Sequence, residues 1–363
     1  MAALPTSSLT VDAIYRWRAD KEDSGHRPHL GASLIGKECA RALWYTFRWC
    51  DAEKFEGRIL RLFDTGKREE ARVYEELRGI GCEVYSDDGT AQFRVAEHGG
   101  HFGGSMDGVV VGIPEAPKTP HVLEIKTHSA KSFKEVVKKG VQVAKPQHFA
   151  QMQAYMALVN LDRALYFAVN KDTDEVYTER VEHDPLFSGD LLIKAKKIIT
   201  AVEPPLGISD DPEHFECNYC HFNSICHGTA APEVNCRTCM FSTPELDGEA
   251  EWTCGKESGR HAIPLTVQRA GCTQHRYIPP LLAKFGEAVD AVGDGVEYQM
   301  PDGTRFVNGA TPGAFASAEI RAGGVEMIAD KRTHEVKAAV PSARVVERTA
   351  FSDMPSDTPW EYT

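Results

Sequence analysis

The sequence predicts an α/β protein, of the α+β kind, in which a mixed central sheet is flanked by helices and followed by metal-stabilised, loop-rich modules. Three observations predict it. Before Pro204-Pro205, stretches with apolar residues at helical spacing alternate with short apolar runs, in the order helix, three strands, helix, strand. The proline pair marks the first composition break. Beyond it, cysteines recur at metal-ligand spacing.

Taken in order, residues 9 to 22 read as an amphipathic packing helix, with Val11, Ile14, Tyr15 and Trp17 on its apolar side. Leu30 to Trp49 reads as a second helix with Ser33 as its N-cap. Arg58 to Gly79 reads as a longer helix, bent or broken near Gly66. Short strands are expected at Glu83 to Tyr85 and Ala91 to Ala96, after which His98-Gly99-Gly100-His101 turns the chain back, as a hairpin, into a strand led by Asp107. A strand from Val122 carries Glu124 and Lys126, and helices follow at Ser129 to Lys139 and Pro146 to Asn160. Ala164 to Val169 and Glu175 to Val181 read as strands, and Pro185 to Val202 as a closing helix. Further on, a helix near Ile278 to Val289 and a hairpin around Pro301 to Gly303 are expected, then a disordered tail from about Ser342.

A chain of 363 residues with 42% hydrophobic and 26% charged residues has an ordinary globular balance. No apolar run is long enough to span a bilayer and the N-terminal stretch lacks a signal segment, so a cytoplasmic location with no membrane partner is expected. A formal charge of -12 opposes indiscriminate coating of nucleic acid, so DNA contact would need a local basic groove.

The chemistry concentrates in Gly103 to His128, which places Asp107 on one short apolar strand and Glu124 and Lys126 on another. Residues two apart on a strand share a face, so Glu124 and Lys126 project together while Ile125 enters the core. One or two carboxylates with substrate phosphate oxygens suit magnesium or manganese, and a neighbouring ammonium can orient the attacking water. Glu-x-Lys is also a common surface ion pair. Glu335-Val336-Lys337 repeats the spacing without the glycine-rich lead-in that accompanies Asp107.

These residues resemble the PD-(D/E)xK nuclease superfamily, in particular its RecB-like and phage lambda-type exonuclease branch. GGSMDG resembles the family's acidic hairpin, with Met106 in place of the proline, and VLEIKTH resembles its E-x-K strand. Gln151 to Tyr155 resembles the Q-x-x-x-Y helix motif, and GKREEARVYEEL resembles the first helix. The resemblance implies a restriction-endonuclease-like sheet and catalytic roles for Lys126, Glu124, Asp107, Glu70, Gln151 and Tyr155. It implies metal ligation by Glu70, Asp107, Glu124 and the Ile125 backbone carbonyl. Glu69 rivals Glu70, and helical geometry turns the two about 100° apart, so only one can face a cleft.

Of the ten cysteines, Cys50 and Cys82 read as buried small hydrophobes. Cys217, Cys220 and Cys226 form a C-x2-C-x5-C loop that needs a fourth ligand: His214, His221 or His227 would make a zinc site, and Cys39 a [4Fe-4S] cluster. One upstream and three downstream cysteines bracketing the core resemble the iron-sulfur nucleases of the CRISPR-adaptation and AddB type, which favours Cys39. Cys236, Cys239, Cys254 and Cys272, with His275 as an alternative fourth ligand, read as a structural zinc site.

The expected organisation is a nuclease core with its N-terminal helical part over 1–205 and a cysteine-rich loop over 206–230. A zinc module over 231–276, a helix and hairpin over 277–341, and a disordered tail over 342–363 complete it. The expected function is metal-dependent DNA hydrolysis by an exonuclease of phage or prophage recombination or DNA repair, acting with a recombination or single-strand annealing protein. A catalytically inactive binding or scaffold protein, and a restriction-type endonuclease, are the alternatives on the same core.

Overall fold

A computed structural model describes residues 8–21, 26–87, 92–256 and 259–344. The chain forms two compact units, the first drawn from Met1–Phe47, Ala52–Ala201 and Pro244–Glu251, the second from Arg48–Asp51, Val202–Thr243 and Trp252–Thr363. No helix among the described residues is long and apolar enough to cross a membrane.

The first unit runs α1 (Leu9–Lys21), β1 (Leu30–Gly31), α2 (Ala40–Phe47), α3 (Gly57–Gly79), β2 (Glu83–Tyr85), β3 (Arg94–Glu97), β4 (Phe102–Ser105) and β5 (Gly108–Val111). It continues with β6 (His121–His128), α4 (Ala130–Lys139), α5 (Val141–Ala144), α6 (Pro146–Val159), β7 (Arg163–Asn170), β8 (Val176–Glu182) and α7 (Pro185–Thr200). Its main sheet has the order β2-β5-β6-β7-β8, with β6 and β7 parallel and the other pairs antiparallel. A mixed α/β fold with a helix-flanked mixed sheet is therefore what the chain adopts. Alternation along β6 sends Leu123 and Ile125 into a core with Leu165, Phe167 and Val169 of β7 and Val73 and Leu77 of α3. A second sheet, β1-β4-β3, stands apart from the main one.

Several local expectations change. Leu30 to Trp49 is not one helix: Leu30 donates its N–H to the His101 carbonyl at 2.8 Å, a 3-10 turn spans Ala32–Leu34, and only Ala40–Phe47 is α-helical. Gly36, between the two, packs directly on α6, where a Cβ on it would lie 2.8 Å from the Gln147 backbone. Cys39 therefore precedes α2 rather than lying inside a helix. Helix α3, in contrast, runs unbroken through Gly66. Helix α1 forms but buries none of its residues, and Val11, Ile14 and Trp17 are exposed. The His98 to His101 turn feeds β4 in the second sheet, so Asp107 sits where the chain crosses to β5 in the main sheet. Ala91 lies outside the described residues.

Three terminators act as the residue chemistry dictates. Ser129 caps α4 through Ser132 N–H, Asn160 ends α6 in the left-handed conformation, and Asp184 caps α7 through two backbone N–H groups.

The second unit holds two one-turn helices, α8 (Phe215–Asn218) and α9 (Asn223–Cys226), then short strands β9 (Ser242–Pro244), β10 (Trp252–Cys254) and β11 (His261–Ala262). After α10 (Leu265–Ala270) come the antiparallel strands β12 (Glu287–Val292), β13 (Gly295–Gln299) and β14 (Arg305–Asn308), and helices α11 (Ser317–Ala329) and α12 (Lys331–Ala339). The hairpin turn at Pro301 to Gly303 joins β13 to β14. The expected helix near Ile278 to Val289 is instead a 3-10 turn, Pro279–Leu282, followed by β12. Beyond residue 344 the expected tail lies outside the described residues.

Candidate active site

The site is built on the middle of the main sheet. Strand β6 carries Glu124, Lys126 and His128 on the face opposite its core residues, and β7 places Tyr166 directly beside Glu124 in register. The β5–β6 register pairs Gly108 with Leu123, so Asp107 comes opposite Glu124 at the point where the ladder ends. There Asp107 Oδ2 accepts the Ile125 N–H at 2.8 Å, replacing the ladder bond with a side-chain one.

Glu124 is fully buried, the Lys126 ammonium forms an ion pair with its Oε1, and Lys126 Nζ lies 4.0 Å from Asp107 Oδ2. Of the Glu124 carboxylate oxygens, Oε1 faces the Lys126 ammonium and Oε2 is buried without a hydrogen-bond partner among the described residues. Burial pushes the Glu124 carboxyl up to about 7, with the Lys126 charge opposing and the Asp107 charge adding to the effect. Burial works to lower the Lys126 ammonium, and the charges of Glu124 and Asp107 overcome it, holding the group above its ordinary value.

Helix α3 contributes from the other side of the sheet. Burial and then the Asp107 charge push Glu70 up to about 7, whereas Glu69 is paired with Arg72 at 3.4 Å. Glu70, not Glu69, therefore feels the site. Tyr74, one helical turn beyond Glu70, donates its hydroxyl to the Asp107 carbonyl at 2.6 Å and fixes the backbone there.

Helix α6 supplies Gln151 and Tyr155, both buried, with Gln151 Nε2 3.4 Å from the Tyr155 hydroxyl. Tyr155 donates to the Ser105 carbonyl at 2.9 Å, tying α6 to the segment that leads to Asp107. Gly104 makes this approach possible, because a Cβ there would lie 2.7 Å from the Tyr155 hydroxyl. Met106 also has a structural reason: its N–H donates to the Phe93 carbonyl at 3.0 Å, a bond that proline could not make.

Sequence reasoning missed a buried polar chain beside these residues. Tyr166 OH lies 2.8 Å from both His128 Nε2 and His148 Nδ1, and His128 Nδ1 lies 3.0 Å from Ser132 Oγ. Burial, then the charges of Lys145 and Lys126, hold His128 down at about 4. Burial, Lys126, His128 and Lys145 hold His148 down at about 3. Both imidazoles are therefore neutral at ordinary pH. The signal for His148 was present in its position three residues before Gln151, on the same helix face.

The donor set suits a hard divalent cation: two carboxylates, one of them buried with an unpartnered oxygen, with Glu70 in the same field. No group of three or more His, Cys, Asp or Glu side chains among the described residues is already arranged to hold a metal ion. Glu335-Val336-Lys337 has another fate, because it lies on α12 and buried Lys337 pairs with Glu319 at 2.6 Å.

Cys39 lies in the first unit and Cys217, Cys220 and Cys226 in the second, on α8, the following turn and α9. In that loop the Cys220 N–H donates to the Cys217 carbonyl at 3.0 Å. Cys236 and Cys239 flank a 3-10 turn capped by Asn235, Cys254 ends β10, and Cys272 is exposed. Burial and then the neighbouring Cys239, Cys272 and Cys254 thiols push the Cys236 thiol up to about 12, so all four share one neighbourhood. His275 is a buried core histidine with Nε2 3.1 Å from Thr238 Oγ1. Cys50 and Cys82 are buried free thiols.

A mixed sheet presents Glu-x-Lys on its central strand, opposite an aspartate from the adjoining strand end, as an acid-and-lysine cluster. The chain belongs to the PD-(D/E)XK nuclease superfamily, which it matches over residues 17–227, more than half its length. No curated protein sequence matches it. Among solved structures, LHK-Exo in complex with dAMP is 18% identical over 50% of this chain and 89% of that chain, with a TM-score of 0.36. An alkaline exonuclease (LHK-Exo) from Laribacter hongkongensis is 17% identical, covering 52% of this chain and 90% of that one at a TM-score of 0.35. SSO0001 is 15% identical, covering 60% and 96% respectively at a TM-score of 0.37.

Proposed function

We propose that the chain is a magnesium- or manganese-dependent deoxyribonuclease that hydrolyses DNA phosphodiester bonds as an exonuclease. The observation that carries this reading is the fully buried Glu124 carboxylate, paired through Oε1 with Lys126, with Oε2 left without a hydrogen bond and Asp107 alongside. A buried acceptor left in that state costs about 1–3 kcal/mol, which a bound hard cation offsets. Asp107, Glu124 and the Ile125 carbonyl would hold the ion, with Glu70 completing its surroundings. When bound, such an ion supplies Lewis acidity toward a phosphate oxygen and lowers the pKa of an attacking water. Lys126 stays charged, orients that water and offsets the charge that builds on the phosphate. Tyr155 and Gln151 are positioning residues, holding the backbone before Asp107.

Two further metal sites belong to this reading. A [4Fe-4S] cluster on Cys39, Cys217, Cys220 and Cys226 rests on the cysteine spacing alone. A structural zinc on Cys236, Cys239, Cys254 and Cys272 is supported by the shared neighbourhood of those four thiols. The protein would act in the cytoplasm in phage or prophage recombination or DNA repair, beside a recombination or single-strand annealing protein.

A time course on end-labelled linear and circular DNA with either ion tests the function. Linear DNA should be consumed from its ends and circles spared. Lys126→Ala should reduce the rate by about 100- to 1000-fold, the cost of removing one transition-state stabiliser. Undiminished hydrolysis by that variant would reject the assignment.

A further inference from the structure

A chain of net charge -12 that acts on DNA needs a local cationic surface, and α4 carries one. Lys131, Lys134 and Lys138 lie three and four residues apart on this helix, all exposed, while Phe133 and Val136 bury the other face. None of the three makes an ion pair among the described residues; Lys139 is paired with Glu135 at 3.8 Å. Two further carboxylates stand at the ends of the helix. Asp172 accepts the Ala130 N–H at 2.7 Å and Glu179 the Val141 N–H at 2.8 Å.

The arrangement costs the isolated helix stability. Like charges at these spacings repel, and a bound polyanion would offset that repulsion. The helix is also well placed, because it begins two residues after the end of β6.

We propose that the Lys131, Lys134 and Lys138 face of α4 is the track that holds the DNA backbone next to the scissile bond. This rests on the deoxyribonuclease reading above. From Lys131 to Lys138 the helix rises about 10.5 Å, at 1.5 Å per residue. That distance spans about three base steps along the axis of duplex DNA, at about 3.4 Å per step.

The test measures binding of a labelled oligonucleotide in EDTA across about 50 to 200 mM salt, and hydrolysis kinetics with magnesium. The proteins are the wild type, Lys131→Gln/Lys134→Gln/Lys138→Gln, and the control Lys196→Gln/Lys197→Gln on the exposed side of α7. The slope of log K against log salt should fall by about three in the α4 variant, roughly one per lysine, and stay at the wild-type value in the control. The kinetic loss should fall on KM and shrink as salt is lowered. A wild-type protein that cuts DNA while the α4 variant keeps its slope and KM overturns the track alone. A wild type that neither binds nor cuts DNA overturns the deoxyribonuclease reading and the track with it.

Discussion

At the scale of single residues, the site is a balance of charges that burial makes expensive. Glu70 and Glu124 are both held at about 7, first by burial and then, among the forces that raise them, by the Asp107 charge. A folded-state pKa above the unfolded value gives stability that is complete below the unfolded value and lost as pH rises through the folded one. For these carboxyls the window runs from the ordinary carboxyl range up through about 7. Metal-free protein should therefore lose thermal stability between those limits, and Glu70→Gln should raise its Tm at pH 8 by about 2–4 °C, roughly 1 kcal/mol after solvent screening. The two proteins should melt alike at pH 4. Magnesium or manganese should raise the wild-type Tm more than the variant's, and equal shifts in a thermal melt would separate Glu70 from the metal site.

At the scale of elements, the α6–β4 contact sets where Asp107 lies. Gly104 and Tyr155 touch through a gap that admits no Cβ, and the Tyr155 hydroxyl bridges to the Ser105 carbonyl. Gly104→Ala should destabilise the protein by about 1–3 kcal/mol, as overpacking does. Tyr155→Phe alone should cost about 1 kcal/mol through the lost hydrogen bond. Removal of the hydroxyl also removes the clash, so the double variant should be more stable than the two single losses predict in a denaturation cycle. Strict additivity would mean that the two residues are not coupled.

At the scale of the whole molecule, the second unit has few long elements and its cysteines bear on how it holds together. The proposed cluster and zinc ion predict a colour and a composition. Anaerobically purified protein should be brown, contain about four iron atoms and one zinc per chain, and lose thermal stability on chelation. A colourless protein with two zinc ions would replace the cluster with a zinc site and return Cys39 to a structural role. Buried aromatic and cationic groups also contribute there: the Arg237 guanidinium lies 3.6 Å from the Trp49 ring centroid and 4.7 Å from that of Trp252.

The sequence by itself determined the helix-flanked mixed sheet, because apolar period is a local property, and it placed Glu124 and Lys126 on one face of one strand. It also carried the Gly-Gly, Glu-x-Lys and Gln151/Tyr155 spacings by which the family is legible. Only the tertiary structure decided that Asp107 lies at a crossing between two sheets, opposite Glu124, because register and sheet membership depend on hydrogen bonds between distant segments. The choice of Glu70 over Glu69 likewise depends on which face of α3 meets the sheet. The chain from Ser132 through His128 and Tyr166 to His148 exists only because β6, β7 and α6 converge, and no periodicity along any one of them records that meeting. The local pattern also suggested helices over Leu30 to Trp49 and near Ile278 to Val289 that the chain divides into 3-10 turns and shorter elements, because apolar period does not record the tertiary contacts of a segment.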